Sequence, residues 1–245
     1  YLPQISSIFP KIDIDKALKS LQKNGYYLGV KLSPSVLQKI LDFAYSAEMK
    51  TDSDPEIKFT YAEKNKAEIK YQQDIIMANY VDPSSRCDAI KHLETDPKLL
   101  EIAVKYLGSN PIHIRTILGW CFPANSDTYQ KLGKWGVPIT SFHCDLDDYR
   151  TLKFFFYFTD VDESSGAHIC IRGSHNKRNF RHYLYRSHSD RSIIDYYGIE
   201  NVVPICGEAG FGFAEDPFCF HRGTPPIAKP RLMLQILYAL NDHSI

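Results

Sequence analysis

The chain has no excess of either charge: Lys plus Arg and Asp plus Glu both number 29 in 245 residues. A dedicated nucleic-acid binder normally carries a basic excess, so no nucleic-acid partner is expected. The sequence also has no CxxC pair and no dense cysteine framework. Its six cysteines (Cys87, Cys121, Cys144, Cys170, Cys206, Cys219) stand singly, which in a chain of this size reads as reduced thiols in a cytoplasmic protein. No apolar run approaches the roughly 20 residues that cross a bilayer, so no membrane partner is expected. No signal peptide is visible. Internal repeats and low-complexity tracts are missing as well.

Aromatic residues are plentiful, with 16 Tyr and 14 Phe, many in short runs. That favours a β-rich core over a helical bundle. Residues 13–24 have helical spacing through Ala17, Leu18 and Leu21 and stop at Gly25. Residues 26–30 suit a short strand. Ser33-Pro34 opens a second helix, striped by Leu37, Ile40, Leu41 and Ala44. The charged, aperiodic residues 48–70 read as a mobile loop or lid, or else as a solvated surface segment. A strand over 75–81 and a helix over 98–107, begun by Asp96-Pro97 and ended by Gly108, follow.

From 112 onward the texture changes. Short β-like segments over 112–122, 139–145, 152–159, 167–171, 201–206, 210–215, 217–221 and 231–240 alternate with Gly, Pro and Asp turns. Helices first and short strands after predict an all-β sandwich or barrel core with flanking helices. We expect one domain over 1–245, with 1–110 mainly helical support and 111–240 the core.

His-x-Asp/Glu pairs occur three times. His92-Leu93-Glu94 falls in a helical region, where a two-residue step turns side chains roughly 200° apart. His188-Ser189-Asp190 lies in a polar stretch without strand character. Only His143-Cys144-Asp145 sits in an apolar strand context, where residues two apart share a face. Alone, that pair is either half of a metal site or a His–Asp hydrogen bond. His221, closing the segment Phe218-Cys219-Phe220-His221, supplies a third donor. Two His and one carboxylate with open positions suit non-haem Fe(II), whereas catalytic zinc usually takes three ligands in tetrahedral geometry. Arg231 stands ten residues further on, at the start of the last apolar strand. It is either a rim arginine or a buried guanidinium that grips a carboxylate.

His143-x-Asp145, then FFFYFTDVDESSGAHICIRGSH, then GEAGFGFAEDPFCFHRGTPP, then Arg231 resemble the phytanoyl-CoA dioxygenase-like branch of the Fe(II)/2-oxoglutarate-dependent oxygenases over residues 110–240. The resemblance implies a double-stranded β-helix (jelly roll) holding Fe(II) through His143, Asp145 and His221. It implies that Arg231 binds the 5-carboxylate of the co-substrate 2-oxoglutarate, and Thr224, just past His221, is a second candidate contact. The partners implied are dioxygen and a small-molecule substrate. Related halogenases lack the carboxylate ligand, so Asp145 points to hydroxylation or a related oxidation. His168 and His175 read as packing and turn residues, Lys153 as an edge or rim residue, and Cys144 as facing away from the metal.

Arg172, Lys177, Arg178, Arg181, Arg186 and Arg191 are opposed only by Asp190 across 172–191. This stretch is either a solvated loop or an attractor for an anionic or carrier-bound substrate. Tyr183, Tyr185, Tyr196 and Tyr197 are candidates for a rim that meets a sugar. Two other readings compete with the hydroxylase: a non-catalytic ligand-binding jelly roll, and a cupin-like metalloenzyme that does not use 2-oxoglutarate.

Overall fold

Alternation along the last strand divides the core. In β13 (Arg231–Ala239), Leu232, Leu234, Ile236 and Tyr238 are buried on one side, while Arg231, Met233 and Gln235 turn to the other. The neighbouring β7 (Thr151–Tyr157) does the same: Leu152, Phe154 and Phe156 join the first set, and Lys153 and Phe155 join the second. The first set meets helices. The second lines a cavity. Full burial of each such aliphatic or aromatic side chain contributes about 1.5–3 kcal/mol, so these two strands alone fix which face of the sheet the helices cover.

The computed structural model describes residues 6–124, 140–145, 148–178, 182 and 187–242. The remaining strands are β1 (Tyr26–Lys31), β2 (Met49–Thr51), β3 (Lys58–Phe59), β4 (Met77–Asn79), β5 (His113–Cys121), β6 (Phe142–His143), β8 (His168–Ile171), β9 (Ser187–His188), β10 (Val202–Ile205), β11 (Phe211–Glu215) and β12 (His221–Gly223). They form an eight-stranded sheet in the order β1-β11-β7-β13-β5-β4-β2-β3 and a five-stranded sheet in the order β10-β8-β12-β6-β9. Every pairing is antiparallel. The result is a jelly roll with helices packed on the outer face of the larger sheet, as expected.

The helices are α1 (Ile14–Asn24), α2 (Pro34–Ser46), α3 (Lys64–Tyr71), α4 (Pro83–Arg86), α5 (Asp88–Glu94), α6 (Pro97–Leu107) and α7 (Asp190–Tyr197). Asp13 caps α1 by accepting from the Lys16 amide at 2.9 Å, and Asp96 caps α6 through the Lys98 and Leu99 amides. A cap of this kind stabilises by about 1 kcal/mol. Gly25 ends α1 with φ +82°, and a Cβ there would lie 2.0 Å from Cys219 Sγ. Its carbonyl accepts the Asp216 amide at 2.8 Å. Only glycine allows this approach, which ties the end of α1 to the turn that delivers His221.

Three expectations are corrected. Residues 48–70 are not a lid: β2 pairs with β3 and with β4 at the edge of the large sheet, and Met49, Ile57, Phe59 and Ala67 are buried. His221 begins a strand instead of ending one. Asp216 accepts the Phe218 amide through Oδ1 and the Cys219 amide through its carbonyl, and this Asp-Pro turn occupies 216–219. His188 lies on β9, not in a stretch without strand character. Asp190 opens α7 and pairs with Arg222 at 2.6 Å.

Candidate metal centre

β12 lies between β6 and β8, and its register sets His221 directly opposite His143 and Cys170. Residues directly opposite share a face, and the two imidazole centroids are 4.5 Å apart. Asp145 follows β6, held by its amide to the Pro217 carbonyl at 2.9 Å. Its Oδ1 is 3.9 Å from His143 Nε2 and its Oδ2 3.9 Å from His221 Nε2. One ligand atom from each of the three lies within 4.8 Å of the others. Cys144 packs the other way, among Phe142, Ile171, Ile193, Tyr197 and Phe220.

The tautomers follow from the neighbours. His143 Nδ1 is 2.9 Å from the Ser141 carbonyl, and His221 Nδ1 is 2.9 Å from the Cys219 carbonyl. A carbonyl only accepts, so each Nδ1 carries the hydrogen and each Nε2 presents a lone pair to the site. Burial drives His221 down to about 4. Burial alone would raise Asp145, but the Lys153 ammonium and the two histidines outweigh it and bring the carboxyl to about 2. With His221 neutral and Asp145 ionised at neutral pH, these two and His143 make a donor set that fits a divalent iron with open positions.

Arg231 is buried in the same cavity, with Nε and Nη1 enclosed and without a partner among the described residues. A charge so placed is costly unless an anion meets it. The cavity measures about 280 Å³ and lies between the sheets; Asn79, Thr140, Phe155, Gln235 and Thr224 also line it. The Thr224 hydroxyl already donates to the Ala167 carbonyl at 2.8 Å, so it retains acceptor capacity only. At Gly119 a Cβ would lie 1.9 Å from Asn79 Oδ1, and the missing side chain lets Asn79 lean over the wall.

Lys153 is not a rim residue. Its ammonium hydrogen-bonds Asp145 Oδ2 from inside the cavity. Sequence reasoning also missed Glu215, fully buried on β11, with Oε2 2.6 Å from His168 Nε2. Burial raises Glu215 to about 7 and lowers His168, so in mildly acid solution the pair holds one proton on the carboxyl side. His168 stacks on His221 with centroids 5.4 Å apart but is outside the three-residue group. His175 instead meets Cys219 Sγ and the Gln22 carbonyl, both at 3.2 Å.

Within 172–191, Arg181, Tyr183, Tyr185 and Arg186 lie outside the described residues. The described arginines each have a contact within the chain, although Arg172 and Arg191 stay exposed. Arg172 donates to Tyr26 Oη at 3.2 Å, Arg178 stacks over Phe218 and Phe220, and Arg191 faces Asp195. Tyr196 and Tyr197 pack on His182.

These shifts set a pH dependence for the metal-free protein. His168 and His221 protonate near 6.5 when unfolded but only well below that when folded. Their stabilisation is therefore complete above pH 6.5 and is lost as pH falls. Glu215 opposes one of them, since its folded value of about 7 exceeds the ordinary 4.5. At about pH 5.5 the unfolded chain holds a proton on each of these two histidines and the native state holds one on Glu215, so stability declines gently. Below about 4.5 that offset ends and the decline steepens, with Asp145 extending it from 3.8 towards 2. Urea midpoints measured from pH 8 to 3.5 should show this two-slope fall; a midpoint constant down to pH 4 would contradict the buried histidines.

The geometry defines a jelly-roll protein with two histidines and a carboxylate gathered between its sheets, where they could hold a metal ion. A family model described as phytanoyl-CoA dioxygenase (PhyH) matches residues 21–227, and the chain belongs to that family. The match stops short of Arg231. No curated protein sequence matches the chain. Among solved structures, the epimerase SnoN in complex with Fe3+, alpha ketoglutarate and nogalamycin RO is 14% identical, with 92% of this chain and 83% of that chain covered and a TM-score of 0.58. EvdO2 from Micromonospora carbonacea var. aurantiaca, complexed with 2-oxoglutarate, is 13% identical over 95% and 92%, with a TM-score of 0.58. HygX from Streptomyces hygroscopicus, with nickel, 2-oxoglutarate and hygromycin B bound, is 12% identical over 91% and 86%, with a TM-score of 0.59. At these identities the likeness is one of fold. No helix among the described residues is long and apolar enough to cross a membrane.

Proposed function

We propose that the protein is an Fe(II)- and 2-oxoglutarate-dependent dioxygenase that hydroxylates a small organic molecule, as a single oxygenase domain in the cytoplasm. The observation that carries this reading is Arg231: a guanidinium whose enclosed Nε and Nη1 have no partner among the described residues, in the same cavity as the His143, Asp145 and His221 donors. Family membership supports the oxygenase class, and six cysteines that stand singly in the sequence support a reducing compartment.

In this reading His143 Nε2, His221 Nε2 and Asp145 hold the iron. Bound there, iron supplies redox chemistry, coupling the oxidative decarboxylation of 2-oxoglutarate by dioxygen to oxidation of a substrate C–H bond. The chain's own work is positioning. The Ser141 and Cys219 carbonyls fix the two imidazole rings through Nδ1. Arg231 pairs with the distal carboxylate of 2-oxoglutarate through its guanidinium, whose enclosed Nε and Nη1 have no partner among the described residues. Thr224 shapes the wall of that subsite, since a carboxylate needs donors and its hydroxyl hydrogen is already engaged. Asn79 and Gln235 face the remaining space and orient the substrate.

Retention of Asp145 as a carboxylate favours hydroxylation, while the neighbours include an epimerase and a carbocyclase, so the product must be identified directly. Anaerobic protein mixed with Fe(II) and 2-oxoglutarate should develop a weak metal-to-ligand absorption band, and candidate substrates should stimulate succinate release with a product heavier by one oxygen. Absence of the band at saturating co-substrate would sink the reading. A band without succinate formation from any substrate would favour the non-catalytic jelly roll.

A further inference from the structure

We propose that Lys153 is a positioning residue that restrains Asp145 to single-oxygen coordination and so keeps a metal position open. The proposal rests on the reading of His143, Asp145 and His221 as metal ligands. Lys153 belongs to the larger sheet and Asp145 to the segment after β6 in the smaller one. Alternation along β7 sends Leu152, Phe154 and Phe156 to the helices and Lys153 into the cavity, where its ammonium crosses to Asp145 Oδ2. Both side chains are mostly enclosed, 17% and 19% exposed. An exposed ion pair is optional, but an enclosed ammonium needs its partner, so this contact holds both ends.

Nothing in Asp145 itself chooses between one oxygen and two. Its oxygens are each 3.9 Å from one histidine Nε2, Oδ1 facing His143 and Oδ2 facing His221, and a carboxylate can bind a cation through either one or both oxygens. The Lys153 ammonium breaks that symmetry. It occupies a lone pair of Oδ2 and places a positive charge where a metal cation would have to approach, leaving Oδ1 as the donor. Three protein bonds leave three positions on a six-coordinate centre. A chelating 2-oxo acid fills two, and dioxygen requires the third. A two-oxygen Asp145 would remove it.

Lys153 is badly placed to duplicate Arg231. Its β13 partner is Leu237, six residues along the strand from Arg231, or about 20 Å at the usual rise. The two cations therefore serve opposite ends of the wall, Arg231 the co-substrate and Lys153 the ligand carboxylate.

The test uses the full chain loaded with Co(II), without 2-oxoglutarate or substrate. Lys153→Met, which keeps the stem and removes the charge, should strengthen Co(II) affinity by roughly 10-fold or more, because a repelling charge is withdrawn from an enclosed site and Asp145 is free to bind through both oxygens. It should also change the visible Co(II) spectrum. Lys153→Arg should restore both to near the parent values, and circular dichroism should show all three folded. Should the Met variant not fold, Lys153→Gln carries the same expectation. Unchanged Co(II) affinity and spectrum in the Met or Gln variant would overturn the proposal and leave Lys153 as a substrate contact. An Arg variant as altered as Met would overturn it too. If the parent protein shows no Co(II) binding that His221→Ala abolishes, the metal-site reading itself has failed, a result distinct from failure of the Lys153 role.

Discussion

His221→Ala is expected to abolish the Fe(II)–2-oxoglutarate absorption band and to lower turnover by more than the roughly 100-fold that loss of an orienting partner costs. The reason is geometric. His221 contributes one of three donors, and its ring is fixed on both sides: Nδ1 by the Cys219 carbonyl, and its face by the stacked His168. Neither neighbouring histidine among the described residues is free to swing in. His175 is engaged with Cys219 and Gln22, and His168 with Glu215. His143→Ala should behave in the same way. The control is His92→Ala, which removes an exposed histidine on α5 from another His-x-Glu pair and should leave the band at full strength. Since the His221 backbone keeps its pairing with His143 and Cys170, the alanine variant should still fold, and thermal melting checks that. A band that survives in His221→Ala, or disappears equally in His92→Ala, would refute the assignment.

That control also shows what the sequence could and could not reveal. His143 and Asp145 were legible as a two-residue spacing in an apolar context, although the strand ends at His143 and Asp145 is held beyond it by its amide to the Pro217 carbonyl. His92 and Glu94 were set aside because helical spacing parts them. The structure has α5 over that second pair. Arg231 was legible as a charge heading an apolar strand. Lys153 was misread for a specific reason: its run is apolar on both faces, Leu152, Phe154 and Phe156 towards the helices and Phe155 and Tyr157 towards the cavity. Period-2 alternation therefore carried no signal about which way Lys153 points. The Glu215–His168 pair was invisible because it joins two sheets across 47 residues, and only the fold brings 215 and 168 together. A carboxylate inside the apolar stretch Phe211–Glu215 was the one clue, since an acid so placed needs a partner. The strand pair in 48–70 escaped notice because β2 and β3 have three and two residues, too short for a period to register. α3 presents only Ala67 to the core.

Arg231→Met separates ligand binding from stability, because the two should move in opposite directions. In the co-substrate-free protein the guanidinium is enclosed with Nε and Nη1 unpaired, and exchanging an unpaired buried charge for an apolar side chain of similar length is neutral or stabilising. The melting temperature of the free variant should therefore equal or exceed that of the parent. Co-substrate binding should collapse. The distal carboxylate of 2-oxoglutarate would enter a closed subsite with no cation, and truncating one member of a buried ion pair costs about 3–5 kcal/mol. At 1.4 kcal/mol per tenfold, that is a loss of roughly two to three and a half decades in affinity of the metal-loaded protein. Arg231→Lys should recover only part of it, since an ammonium offers a point charge where the guanidinium offers a fork. Ligand-dependent thermal shifts give a second readout: 2-oxoglutarate should raise the melting temperature of the metal-loaded parent and leave the Met variant unmoved over the same concentrations. A cupin-like enzyme that ignores 2-oxoglutarate predicts neither effect, with turnover unchanged in the Met variant. Equal affinity in parent and variant would place the distal carboxylate elsewhere in the cavity, and the only other cation lining it among the described residues is Lys153.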